Sequence, residues 1–191
     1  MRSVGTVVRG IRTPIIKEGM DLAQVVVDSL LEASKNVLFE FHDRDIVGIT
    51  EAVVAISDGN YAQVDDIAMD IKEKFPNGHV GVVFPILSRN RFSLILKGIA
   101  RGCKKITILL SYPADEVGNH LFEETLLEQY DINPYVDVLT EEEYEEKFGS
   151  IVHPFTGINY VDFYRDLVAS ENCEVEFVFA NQATTILKYT N

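Results

Sequence analysis

Two arginines within four residues, Ser88-Arg89-Asn90-Arg91, form the most suggestive local constellation in this chain. Ser88 suits the N-cap of a helix whose apolar residues are Phe92, Ile95, Leu96 and Ile99. A helix start presents unpaired N–H groups and partial positive charge, so cations in its first turn are unfavourable unless an anion offsets them. Ser88, Arg89, Asn90 and Arg91 are therefore anion-binding candidates. The plain alternative is that Ser88 only caps while the arginines pair with surface carboxylates. The glycines of a P-loop are missing here, so a Walker-type grip is not supported.

A second group lies at Asp115, Glu116, Asn119 and His120. A carboxylate beside an imidazole can move protons or hold a metal. The same residues can equally cap a helix opened by Asn119 and face solvent. Asn181, in the segment Asn181-Gln182-Ala183-Thr184-Thr185, is a further pocket candidate. His153-Pro154-Phe155-Thr156-Gly157 reads as a rigid polar turn that either closes over a site or is only a turn. His42 and His79 flank expected strands and read as structural. No serine sits in a Gly-x-Ser-x-Gly elbow and neither cysteine carries a nucleophile signature, so covalent hydrolase chemistry has nothing to recommend it.

The elements that must position these residues alternate between strand and helix. A short strand is expected at 4–8, then a helix from Asp21, where Gln24 completes a capping-box pattern and Leu22, Val25, Val26, Leu30 and Ala33 share a face. The β-branched run at 45–56 predicts a strand, and Asp58-Gly59-Asn60 a turn. A helix follows near 62–75. Residues 79–84 read as a buried strand, 88–102 as a helix with Gly102 at a C-cap of positive φ, and 104–110 as the returning strand. Strand, helix and strand at 79–111 make a βαβ unit with parallel pairing. Glu141 to Glu146 reads as a solvated helix face. A helix near 160–169 precedes a last strand at 174–180. The fold class is α/β, a mixed, largely parallel sheet flanked by helices. One domain is expected, with 1–60 as a semi-separate lobe. Ligands gather beyond the carboxyl ends of parallel strands, so the loops 86–91, 112–120 and 181–185 should share an edge.

Thirty acidic residues against 17 basic give a net charge of −13. Such a surface repels phosphate backbones and anionic lipid, so neither nucleic acid nor membrane is an expected partner. No apolar run is long enough to span a bilayer, and no secretory segment follows Met1. The cytoplasm is the expected location, where Cys103 and Cys173, far apart and without metal-like spacing, should be buried free thiols.

Two segments at the start of the chain carry a family resemblance. Gly10-Ile11-Arg12-Thr13-Pro14-Ile15-Ile16-Lys17-Glu18-Gly19-Met20-Asp21-Leu22 resembles the opening of the coenzyme F-420 gamma-glutamyl ligase family, and Asp45 to Gly59 resembles that family's next segment. Together the motifs cover residues 5–60 and are moderately specific. The resemblance implies an enzyme that uses GTP with Mg or Mn to activate a small-molecule carboxylate as an acyl phosphate, which the amine of L-glutamate attacks. It places Gly10, Ile11, Arg12, Thr13, Thr50, Glu51 and Ala52 at the nucleotide, and it suggests a homodimer. There are departures. Ile56 stands where the family commonly has lysine, and Ile86 falls at the nearest counterpart of a metal-binding aspartate, where it can supply no oxygen. The later family motifs are missing, so the expectation is an N-terminal region of a longer ligase. Two alternatives stay open: a non-catalytic phosphate-ligand module of the same ancestry, and an unrelated α/β enzyme using the three strand-end loops.

Overall fold

The computed structural model describes residues 5–87 and 91–190. The chain divides into two compact units, Met1–Ala62 and Gln63–Asn191.

The first unit holds two helices, α1 (Leu22–Val37) and α2 (Glu51–Ser57). Asp21 caps α1, its carboxylate accepting from the Gln24 N–H at 3.0 Å. The Gln24 side chain does not complete the box; it donates to Asp28 Oδ1 instead. The run at 45–56 corrects the sequence reading: 45–50 carry no regular element, and the residues after Thr50 are helical. Residues 5–8 likewise lie in no strand. Both failures have one cause. A β-branched run is favoured as a strand by packing against neighbouring strands, and among the described residues of this unit there is no strand to pair with. Glu51 in the first turn of α2 then favours the helix.

The second unit is an open sheet with helices. Its elements are α3 (Val64–Lys74), β1 (His79–Val83), α4 (Arg91–Gly102), β2 (Lys105–Leu110), α5 (Thr125–Gln129), β3 (Leu139–Thr140), α6 (Glu141–Phe148), α7 (Tyr160–Ala169), β4 (Glu174–Phe179) and a 3-10 turn at Ala183–Lys188. The strand order is β1-β2-β4-β3. β1, β2 and β4 are parallel, with His79 opposite Lys105 and Lys105 opposite Glu174, and β3 is antiparallel to β4. This is the mixed, largely parallel α/β sheet expected.

Strand alternation divides the core. Ile106, Ile108 and Leu110 of β2 pack with Leu96, Ala100, Tyr164 and Val168 of α4 and α7, whereas Leu109 packs with Val178, Ala180 and Ile186. Thr107 points away from the larger core and its hydroxyl meets His79 Nε2 at 2.9 Å, so His79 is structural. The acidic run is the mostly exposed face of α6, which turns Tyr144 inward and is capped reciprocally by Thr140 and Glu143.

Gly102 corrects a second expectation. It is the last residue of α4 and is not at a positive φ. A Cβ there would stand 2.5 Å from the Ala68 carbonyl oxygen and 2.9 Å from Ile71 Cβ, so this glycine lets α3 and α4 approach. Nor does Asn119 open a helix. His120 forms an antiparallel bridge with Ala114, and α5 begins at Thr125.

Candidate functional site

In the unit Met1–Ala62, the early loop and the start of α2 face one cavity of about 760 Å³. Gly10, Ile11, Thr13 and Thr50 all line it, while Arg12, Glu51 and Ala52 are not among its lining. The loop is tied to the end of α2 by a hydrogen bond from the Gly19 N–H to the Ser57 carbonyl, 2.9 Å. Leu22, Val26 and Leu30 of α1 supply an apolar wall. Arg9 is the cavity's guanidinium and stands 5.3 Å over the Phe39 ring. Glu40 and Asp45 are its carboxylates. Asp45 accepts from the His42 N–H at 2.9 Å, so it anchors a turn as well. His42 itself is exposed.

In the unit Gln63–Asn191, the loops at the carboxyl ends of β1, β2 and β4 are stitched together by polar side chains. Ser88, Arg89 and Asn90 lie outside the described residues; Arg91 is the exposed first residue of α4. The Glu116 carboxylate accepts from the Leu87 N–H at 3.1 Å, joining the first two loops. Burial, more than any neighbour, pushes the Glu116 carboxyl above its ordinary value. Asn181 clamps β2 to β4: its Oδ1 accepts from the Tyr112 N–H at 3.1 Å, and its Nδ2 donates to the carbonyls of Tyr112 and Pro134.

Asp115 is the centre of this edge. Its Oδ1 accepts from the N–H groups of Val117 and Asn119 (3.1 and 2.7 Å), and its Oδ2 from Asn119 Nδ2 at 2.8 Å. The fourth partner is His153, 38 residues away, whose Nε2 lies 3.0 Å from Asp115 Oδ2. Both side chains are buried, 1% and 0% exposed. His153 Nδ1 accepts from the N–H groups of Phe155 and Thr156, each at 3.2 Å, so the ring hydrogen sits on Nε2 and points at the carboxylate. Burial raises the Asp115 carboxyl, but the bonds from His153, Asn119 and Val117 outweigh it and hold the group below the usual range. Both ring nitrogens of His153 are engaged within these loops. The pair fixes two loops.

His153 is thus the residue that sequence reasoning noticed only as part of a turn. The expected partner, His120, is exposed and lies 3.4 Å from Glu124. Nothing local in the sequence signals a 38-residue pairing. Beside these loops lies a smaller cavity of about 290 Å³. His153 lines it, together with Leu110 and Phe179 at the strand ends, Tyr144, Tyr160 and Arg165. Asp115, Glu116, Asn119, His120 and Asn181 are absent from its lining and act as loop fasteners. Arg165 is neutralised by Glu141 and Asp162 and stacks on Phe177.

Among the described residues, no three histidines, cysteines, aspartates or glutamates come together as a metal cage. Nor is any helix there long and apolar enough to cross a membrane.

Fold and cavities define the class: an α/β protein with a broad cavity in its first unit and a sheet-edge cavity in its second. The profile of the family described as F420-0:Gamma-glutamyl ligase matches residues 10–185, and the chain belongs to that family. The match extends well past the two opening segments that carry the resemblance. No curated protein and no solved structure matches the chain. Membership places it among the gamma-glutamyl ligases of coenzyme F420 biosynthesis.

Proposed function

We propose that the protein uses GTP to activate the carboxylate of a coenzyme precursor such as F420-0 as an acyl phosphate, which the amine of L-glutamate attacks to form an amide. The observation that carries this reading is the convergence of Gly10, Ile11, Thr13 and Thr50 on one cavity large enough for a nucleotide. Nothing lies within 4 Å of where a Gly10 Cβ would be, so this part of the loop is open to a ligand. The Thr50 hydroxyl donates to a phosphate oxygen, the Thr13 hydroxyl does so by turning from the Pro14 carbonyl that it bonds at 3.0 Å, and Arg9 offsets the phosphate charge. Leu22, Val26 and Leu30 give the cavity an apolar wall on one side.

A divalent cation, when bound, supplies charge neutralisation at the phosphates. The donor set fits only a loosely held Mg or Mn, with Glu40 and Asp45 as protein oxygens and the nucleotide phosphates as the rest. A homodimer belongs to the same reading, supported by exposed apolar residues in the first unit such as Val8 and Ile46, 89% and 93% exposed. Sedimentation at micromolar concentration tests it, and a monomer refutes it. The location proposed is the cytoplasm.

The function is tested by melting the full chain with GTP and Mg or Mn. A hundredfold excess over Kd stabilises by about 2.7 kcal/mol, which is about 5–11 °C at this size. Thr13→Ala and Thr50→Ala should reduce the shift, and L-glutamate with acceptor should release phosphate. Absence of both the shift and the phosphate release refutes the proposal. Ile56 and Ile86, standing where the family commonly has a lysine and a metal-binding aspartate, favour one second reading, a module of the same ancestry that holds nucleotide without turning it over. It predicts the shift without glutamate-dependent phosphate release.

A further inference from the structure

Cys103 and Cys173 are 70 residues apart in sequence, yet their sulfurs lie 3.7 Å apart. Cys103 follows Gly102 at the end of α4 and precedes β2; Cys173 immediately precedes β4. The two strands are adjacent and parallel, with Lys105 opposite Glu174 and the Glu174 N–H bonded to the Lys104 carbonyl at 2.9 Å. The backbones beneath the two thiols are therefore held in register by the ladder. We propose that these cysteines are a thiol–disulfide exchange site, taking a small anionic disulfide as reactant and closing into a bridge between the amino-terminal ends of β2 and β4.

The sulfurs need only close from 3.7 Å to about 2.05 Å. Side-chain rotation on a fixed ladder can supply that, since Cys103 is only half-buried and has room to turn. The two thiols are not equivalent. Cys103 is partly open to solvent, whereas Cys173 is 6% exposed. The hydrogen bond from Cys173, and next to it the Lys105 N–H, hold the Cys103 thiol below its ordinary value against burial. The same contact with Cys103, together with burial, pushes Cys173 up. Cys103 is thus the attacking thiolate and Cys173 the resolving thiol. Lys105 is paired with Glu176 at 2.7 Å, but Lys104 follows Cys103 directly and is exposed, so it is the cation here that attracts an anionic disulfide.

The exchange balances in two steps. The Cys103 thiolate attacks one sulfur of the disulfide, forming a mixed disulfide and expelling one thiolate. Cys173 then gives its proton to that thiolate or to water and attacks the Cys103 sulfur, expelling the second thiolate. Two protein thiols are oxidised and one small disulfide is reduced to two thiols. The pair sits at the amino ends of the strands, opposite the sheet-edge cavity, so the bridge leaves that cavity open. Its effect is to tie together a 70-residue stretch of the second unit.

The test is to incubate the full chain with oxidised glutathione and record intact mass under denaturing, non-reducing conditions. The expected result is loss of two hydrogens with no retained glutathione, at a rate independent of protein concentration. The melting temperature should then rise by roughly 10 °C, and dithiothreitol should reverse both changes. C173S should stop at a single glutathione adduct on Cys103, and C103S should react much more slowly. Two free thiols after prolonged incubation, or a stable glutathione adduct on the wild-type chain, overturns the proposal. So does equal reactivity of C103S and C173S. None of these readouts depends on nucleotide binding, so failure here and failure of the ligase reading are separable.

Discussion

Replacing Asp115 by asparagine changes almost no volume and removes one charge from a buried polar centre of the second unit. The carboxylate accepts four hydrogen bonds, two on each oxygen, from Val117, Asn119 (twice) and His153. An amide nitrogen must take the place of one oxygen. In one orientation it faces His153 Nε2–H and Asn119 Nδ2; in the other it faces two backbone N–H groups. Either way donors meet donors. His153 cannot switch tautomer to help, because Nδ1 needs its lone pair for Phe155 and Thr156. Leaving a buried donor unpaired costs about 1–3 kcal/mol, and in either orientation two donors lose their acceptor. About 3–5 kcal/mol is therefore expected for Asp115→Asn, a large share of the ~5–15 kcal/mol typical of a domain. At an m-value of about 2 kcal/mol per M, the urea midpoint of the second unit should fall by about 2 M. Far-UV ellipticity at neutral pH measures it. The pH dependence has a defined sign. The folded-state carboxyl is depressed, so its contribution is present above the unfolded value of about 3.9 and disappears as pH falls through the folded value. The gap between wild type and variant should stay flat from pH 8 to about 5 and close in stronger acid. A neutral-pH midpoint within about 0.3 M of wild type would refute the reasoning, and so would a gap that closes near neutrality.

Two further substitutions probe the supports of the site. Asn181→Ala removes the acceptor of the Tyr112 N–H and a donor to two carbonyls, so a loss of about 2 kcal/mol is expected in the same titration. Asn181→Asp, which keeps the acceptor but sets a carboxylate oxygen against the carbonyls of Tyr112 and Pro134, should lose at least as much. Gly102→Ala places a methyl 2.5 Å from the Ala68 carbonyl and should cost about 1–3 kcal/mol, read as a lower melting temperature. A neutral Gly102→Ala would mean that α3 and α4 do not pack as closely as described. The nucleotide shift through Thr13 and Thr50 and the closure of Cys103 onto Cys173 complete the set.

What the sequence determined by itself was whatever is decided over a few residues. Asp21 marked the start of α1 because a cap acts on N–H groups two or three positions ahead. Apolar periodicity identified β1, α4, β2, α7 and β4, and the βαβ order implied the parallel sheet. Local patterning failed at 45–56, where a β-branched run became partly helix for want of a strand to pair with. It failed again at Gly102, whose reason is a carbonyl 34 positions back in the neighbouring helix, Ala68. The tertiary structure alone decided which polar groups meet. It paired Asp115 with His153 instead of the nearby His120, turned Asn181 into a clamp, and set two distant cysteines side by side. The physical reason is that hydrogen bonds and thiol contacts are short-ranged and directional, so only the register of the ladder, fixed by burial of whole strand faces, selects their partners.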